Sequence, residues 1–302
     1  MALPDTRAEL AEALGQQNDP WASWLRAAEL YWASQEMTRV ALDASEDLPE
    51  WSAAAILPAP TGMLIWEGGM PEMPLAGLPQ QAWPTGPLGT PVPPHVPIQG
   101  VAWAQQGGYV HLITLIESHR LESASPVPIR IPDTRLWVGS SVEPLPGTDL
   151  IATRNTNEPP EALQEEDGLT GRVHALEGAA TGVVMATAAT WILMQQPTVA
   201  TPRRIMPRGR AYRTAKHRGR EQNEGVSVID LRRIEHDHDN TSEHDGEPGR
   251  TYHHRWIVRG HWRQQAHGPG RTQRRPTWVP SYIKGPAGAP LLTSEHVHTW
   301  RR

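Results

Sequence analysis

Residues 252–264, YHHRWIVRGHWRQ, set side chains able to do chemistry at two-residue spacing. Strand side chains alternate between faces. A strand over Tyr252–Gln264 therefore puts Arg255, Ile257, Arg259, His261 and Arg263 on one side, and His254, Trp256, Val258, Gly260 and Trp262 on the other. The second set is a core and the first a cationic strip. Three guanidinium groups and an imidazole suit the gripping of successive phosphates, because the planar guanidinium offers two parallel hydrogen bonds to each. Arg271, Arg274 and Arg275 extend the strip in the loop that follows. A catalytic version uses the same residues for metal-independent RNA cleavage. There His261 moves a proton, Arg259 and Arg263 stabilise a charged phosphorane, and Tyr282 or His253 is the second proton-transfer group. The bland alternative is a solvated sheet face partly neutralised by acidic chain elsewhere.

A second cluster, Glu235-His236-Asp237-His238-Asp239 with His244-Asp245, has imidazoles and carboxylates of the kind that bind zinc, nickel or manganese. It lies among Asn240, Thr241, Ser242 and Gly246, a loop composition without a second shell to fix ligands. The expectation is no metal site, there or at His296 and His298, and no cofactor. There is no Cys, which excludes thiolate nucleophiles, cysteine zinc sites, iron–sulfur clusters and disulfides. Phosphate-loop, dinucleotide-binding, nucleophile-elbow and HExxH motifs are also missing, so nucleotide hydrolysis and Rossmann chemistry are not expected.

Charge divides the 302 residues unevenly. Up to Gln195 there are 8 Arg against 23 Asp and Glu, a net of −15; beyond it, 20 Arg and Lys against 10 acids give +10. Lys216 and Lys284 are the only lysines, an Arg bias that a GC-rich coding sequence explains without function. A basic domain beside an acidic one suits polyanion binding, or docking of the two halves on each other or on a protein partner. The N-terminus MALPDTRAELAEAL lacks the basic and apolar regions of a signal peptide, which makes the cytoplasm the expected compartment.

These residues need elements to hold them. A helix is expected over about 5–15, and a second over about 20–43, where Asp19 and Pro20 open the helical spacing of Trp21, Trp24, Leu25, Ala28 and Trp32. Met63–Trp66 reads as a buried strand, and the Pro-rich segment from Met70 to Pro97 as an extended surface loop. Val101–Ala104 and Tyr109–Ile116 around Gly107-Gly108 give a hairpin, followed by strands at Val127–Ile131 and Leu136–Val138. Pro159–Asp167 reads as exposed. A third helix starts near Thr170; its uncharged stretch from Ala179 to Met194 is 16 residues, short of the ~20 of a membrane span, and reads as a buried core helix. Thr201–Arg220, with eight basic residues and no acid, reads as a linker or arm. Strands at Val226–Leu231, Tyr252–Gln264 and Thr277–Ile283 complete the chain. The class is α+β: N-terminal helices with a small antiparallel sheet, a buried apolar helix, then a small mainly-β module. The expected division is an acidic domain over 1–199, a basic linker over 200–224 and a basic domain over 225–302. Thirteen Trp with no Phe must carry the aromatic packing of these cores.

The string RWIVRGHWRQQAHGPGRTQRRPTWVPSYIKGPAGAPL, residues 255–291, resembles a segment recurring in uncharacterised proteins of actinobacterial mobile elements and prophages, and TWILMQQPT, about 190–198, is similar to the stretch that usually precedes it. The resemblance covers a third to half of the chain. It implies a bacterial, intracellular, plasmid- or phage-associated setting and brings no activity or catalytic residues. The expected function is binding of nucleic acid, RNA or DNA, through Arg255, Arg259, His261, Arg263, Arg271, Arg274 and Arg275. The alternatives are a ribonuclease-like toxin using His261, and a protein-interaction module that does no catalysis.

Overall fold

A short apolar run without alternation, bounded by Gly or Pro, forms a strand covered on both faces. TGMLIW, residues 61–66, is such a run, and in the computed structural model it lies inside a seven-stranded mixed sheet. The structure describes residues 3–70, 72–74, 95–124, 134–147, 150–153, 173–176, 181–206, 225–232, 253–286 and 289–292. The chain divides into two units, Met1–Leu231 and Arg232–Arg302. The α+β class expected from the sequence is the class of the structure.

The first unit runs α1 (Leu3–Gln16), α2 (Trp21–Ala27), β1 (Glu29–Ala33), α3 (Gln35–Ser45), α4 (Ala53–Ile56), β2 (Thr61–Trp66), β3 (Glu72–Pro74), β4 (His95–Pro97), β5 (Gly100–Gln106), β6 (Tyr109–Glu117), α5 (Ser118–Ala124), β7 (Leu136–Pro146), β8 (Leu150–Thr153), β9 (Val173–Leu176), α6 (Thr181–Met194), β10 (Ala200–Ile205) and β11 (Val226–Leu231). The sheet order is β10-β11-β1-β2-β5-β6-β7, with β11, β1 and β2 mutually parallel and the other neighbours antiparallel. The pairs β3–β4 and β8–β9 stand apart from it.

Each sheet face has its own helices. Leu3, Leu10 and Leu14 of α1 and Leu25 of α2 pack with Leu30, Met63, Ile65, Ile113 and Leu115. On the other face the indole of Trp66 donates to Thr190 Oγ1 of α6 at 3.1 Å, and Trp103 meets Trp191 edge-on at 5.0 Å. Helix α6 is buried from Val183 to Met194. It tolerates this because its two buried hydroxyls, on Thr187 and Thr190, donate to the carbonyls of Val183 and Ala186, both at 2.7 Å. Its 14 residues fall short of a span, and no helix among the described residues is long and apolar enough to cross a membrane.

The expected hairpin forms as β5–β6 around Gly107-Gly108, both at positive φ (58° and 83°) as a two-residue turn requires. Helix α1, the MLIW strand and the buried body of α6 also follow the sequence reading, but α6 starts at Thr181 and not near Thr170, because Val173–Leu176 is strand β9, paired in parallel with β8. The expected helix over 20–43 does not form as one element. The Asp19 carboxylate accepts from Trp21 N–H at 2.9 Å and α2 begins, but Ala28 turns extended, β1 follows, and Ser34 caps the start of α3 by accepting from Met37 N–H. Five residues, ELYWA, become an inner strand because parallel neighbours on both sides satisfy their backbone. The sheet is therefore larger than a small antiparallel one, and mixed.

The domain limits also move. Residues 200–205 of the expected linker are strand β10, paired along its length with β11, and Val226–Leu231 joins the first unit's sheet instead of opening a C-terminal domain. The ladder explains it: β11 has β1 on one side and β10 on the other. The expectations for Val127–Ile131, Pro159–Asp167, 207–224 and the His-rich stretch 235–247 fall outside the described residues, as does most of the Pro-rich segment after Met70, whose described ends are the paired strands β3 and β4 and not loop.

The second unit holds β12 (Arg255–Val258), β13 (His261–His267), a 3-10 turn at Pro269–Arg271, β14 (Gln273–Val279), β15 (Tyr282–Lys284) and β16 (Leu291–Leu292). They make a three-stranded sheet, β15-β12-β16, and a two-stranded ribbon, β13–β14.

Candidate functional site

The single long strand expected over Tyr252–Gln264 is two strands. The ladder breaks at Arg259-Gly260, and β12 and β13 belong to different sheets. Gly260 stands at the break: a Cβ there would lie 2.4 Å from the indole of Trp278, so the backbone passes against that ring and a side chain would have to displace it. Trp278 is buried and packs edge-on with Trp262 across the ribbon, ring centres 5.2 Å apart.

The break redistributes the cationic strip. Arg255 stays in β12, half-buried, its Nε donating to the Ala289 carbonyl at 2.7 Å; it holds the module together. Beside it, Ile257 and Ile283 face each other across β12–β15, each more than half exposed. Arg259 is exposed in the link between the strands, and its carbonyl lies 3.1 Å from Nδ1 of the exposed His261, which donates there when protonated at Nδ1.

The ribbon fixes the rest by register. His261 pairs with Val279, Trp262 with Trp278, Arg263 with Thr277, Gln264 with Pro276, Gln265 with Arg275 and Ala266 with Arg274. Directly opposed residues share a face. One face therefore shows His261, Arg263, Gln265, Arg275 and Thr277, and the other Trp262, Gln264, Ala266, Arg274, Pro276 and Trp278. Arg274 and Arg275, read as one group in the sequence, point to opposite sides. Arg263, Gln265, His267, Arg274 and Arg275 are exposed.

The strands are joined by Gly268-Pro-Gly-Arg-Thr272, where Gly268, Gly270 and Arg271 all have positive φ, at 76°, 64° and 56°. A bulky residue at Arg271 bears that strain at the tip, exposed. Arg274 Nη1 donates to the Arg271 carbonyl at 3.1 Å and braces the turn.

Residues 248–294 contain eight cations and not one Asp or Glu. The described residues of this unit accordingly offer no internal carboxylate to their guanidinium groups. Across the described residues no three of His, Asp and Glu are grouped as metal ligands would be. Tyr282, the second proton-transfer candidate, sits in β15 opposite Val258, in a different sheet from His261. The sequence reading missed Gln265, His267 and Thr277; the Gly-Pro-Gly cluster between two β-prone runs was the signal for the hairpin that places them.

The fold and this surface define a two-unit α+β protein whose second unit is a β module that shows cations and no carboxylate among its described residues. No family model matches the chain, and no curated protein matches it either.

Proposed function

We propose that the chain binds nucleic acid through the phosphates, using Arg259, Arg263, Arg271 and Arg275 of the C-terminal module. The observation that supports this reading is the exposed Arg array within a stretch free of carboxylates. Like charges held close repel, and an array without a carboxylate partner among the described residues gains from a polyanion. Arg255 supports the fold of the module in this reading, and Arg274 serves the tip. A bacterial mobile-element setting and an intracellular site of action belong to the same proposal. The experiment is a titration of the full chain with labelled single-stranded RNA and duplex DNA. Four neutralised phosphates predict an affinity loss of about a hundredfold between about 50 and 200 mM salt. His261→Ala should leave binding essentially intact. Cleavage of RNA that this variant abolishes would replace the reading with the ribonuclease one, and absence of binding at low salt would remove both.

A further inference from the structure

The ribbon's dimensions and face chemistry go further than a cationic patch. Each strand has seven residues, about 23 Å at ~3.3 Å per residue. Two strands lie ~4.8 Å apart, and with side chains such a ribbon fits the ~12 Å major groove of B-form DNA but not its ~6 Å minor groove. The major groove of A-form RNA is deep and too narrow for it.

The exposed face carries the side-chain types that read base edges. Arg donates two hydrogen bonds to guanine O6 and N7, and Gln donates to and accepts from adenine N7 and N6. Arg263, Gln265 and Arg275 stand together on that face, Gln265 directly opposite Arg275 and Arg263 two residues before Gln265. Neither guanidinium has an ion-pair partner among the described residues, and the Gln265 amide makes only a 3.5 Å contact to the neighbouring Ala266 carbonyl. Single-strand binders instead present aromatic rings for bases to stack on. Here both ribbon aromatics, Trp262 and Trp278, lie on the opposite face, packed on each other. That packing anchors the ribbon and leaves the Arg/Gln face open.

We propose that the β13–β14 ribbon enters the major groove of B-form duplex DNA, with Arg263, Gln265 and Arg275 against base edges and Arg271 at the tip against the phosphate backbone. The inference rests on the nucleic-acid reading above and narrows it to one class of ligand.

The test uses the full chain at fixed low salt against a mixed-sequence DNA duplex, the same sequence as duplex RNA, and each single strand. Duplex DNA should bind about tenfold or more tightly than the RNA forms, in line with the ~1–3 kcal/mol worth of a bidentate base pairing. Methyl green, which occupies the major groove, should displace the protein; netropsin, which fills the minor groove, should not. Arg263→Lys keeps the charge and the salt dependence but cannot donate in bidentate fashion, and should weaken duplex binding about five- to a hundredfold. Gln265→Ala, an exposed change with little bearing on folding, should weaken duplex DNA binding without altering the salt slope. Equal or tighter binding of RNA or single strands, or displacement by netropsin alone, would overturn the major-groove inference and leave phosphate binding standing. No binding to any nucleic acid would overturn both.

Discussion

Arg263 and Arg275 share one face of the β13–β14 ribbon as diagonal neighbours, Arg263 opposite Thr277 and Arg275 opposite Gln265, whereas Arg274 lies on the reverse face. Two cations so placed, with no carboxylate within the described module, make one anion-binding surface. Replacing both Arg263 and Arg275 by Ala should make the logarithmic salt dependence of binding shallower by about 1.8 where they neutralise phosphates, at ~0.9 for each, and should weaken duplex binding with the slope held where they read base edges. Arg274→Ala should change that slope much less than Arg275→Ala. Fluorescence titrations of the three variants over a range of salt decide it, and equal effects at positions 274 and 275 would mean that the ribbon face is not the binding surface.

Gly260→Ala tests the packing beneath that face. The new methyl meets the Trp278 ring, so the indole or the backbone must shift, at about 1–3 kcal/mol as for other overpacked sites. Tryptophan fluorescence and near-ultraviolet circular dichroism should report a loosened Trp262–Trp278 pair, with binding weakened alongside. Unchanged spectra and unfolding would show that the ring has room to move.

In the first unit, Thr190→Val preserves shape and removes the oxygen that accepts the buried Trp66 indole N–H. An unsatisfied buried donor costs about 1–3 kcal/mol. For a unit of this size that is a fall in Tm of roughly 2–12 °C, at about 2–4 °C per kcal/mol. Calorimetry checks it, and a Tm equal to the parent's would mean that the indole finds another acceptor.

Tyr31 makes alkaline stability testable. Burial pushes its phenol well above the ordinary 10.0, the charge of Glu29 and the 2.9 Å hydrogen bond to Glu29 Oε2 push the same way, and Arg204 opposes them. Below pH 10.0 both folded and unfolded chains hold the proton and the full stability is present. Above it the unfolded chain releases a proton that the folded one keeps, so stability falls as pH rises, by up to about 1.4 kcal/mol per pH unit. Tyr31→Phe should flatten this alkaline loss while costing about 1 kcal/mol at neutral pH through removal of the hydrogen bond. An unaltered alkaline slope in denaturant titrations would contradict the assignment.

Local signals were legible where one pattern dominated. Gly107-Gly108 between β-prone runs defined its hairpin, and sixteen uncharged residues ending at Met194 defined the buried helix. The strand β1 was hidden because Trp21, Trp24, Leu25, Ala28 and Trp32 fit a helical period by coincidence, and only its partners β11 and β2, far along the chain, make ELYWA a strand. Long-range pairing hid β10 as well: Thr201–Ile205 is rich in Arg and Pro and gains its place in the sheet from β11. In the candidate site the alternation of Arg and apolar residues was visible, but its interruption was not. It falls at Gly260, where Trp278, eighteen residues further on, fills the space of an absent side chain. The partition of Arg274 from Arg275 likewise follows from register, which neither residue carries alone.

Phosphate binding by the ribbon is most directly tested by titrating the full chain with labelled duplex DNA as salt rises from about 50 to about 200 mM. Tight binding is expected at the lower value and a loss of about a hundredfold by the upper one, with the Arg263→Ala/Arg275→Ala variant binding more weakly throughout. Binding that ignores salt, or that the double variant retains in full, would contradict it.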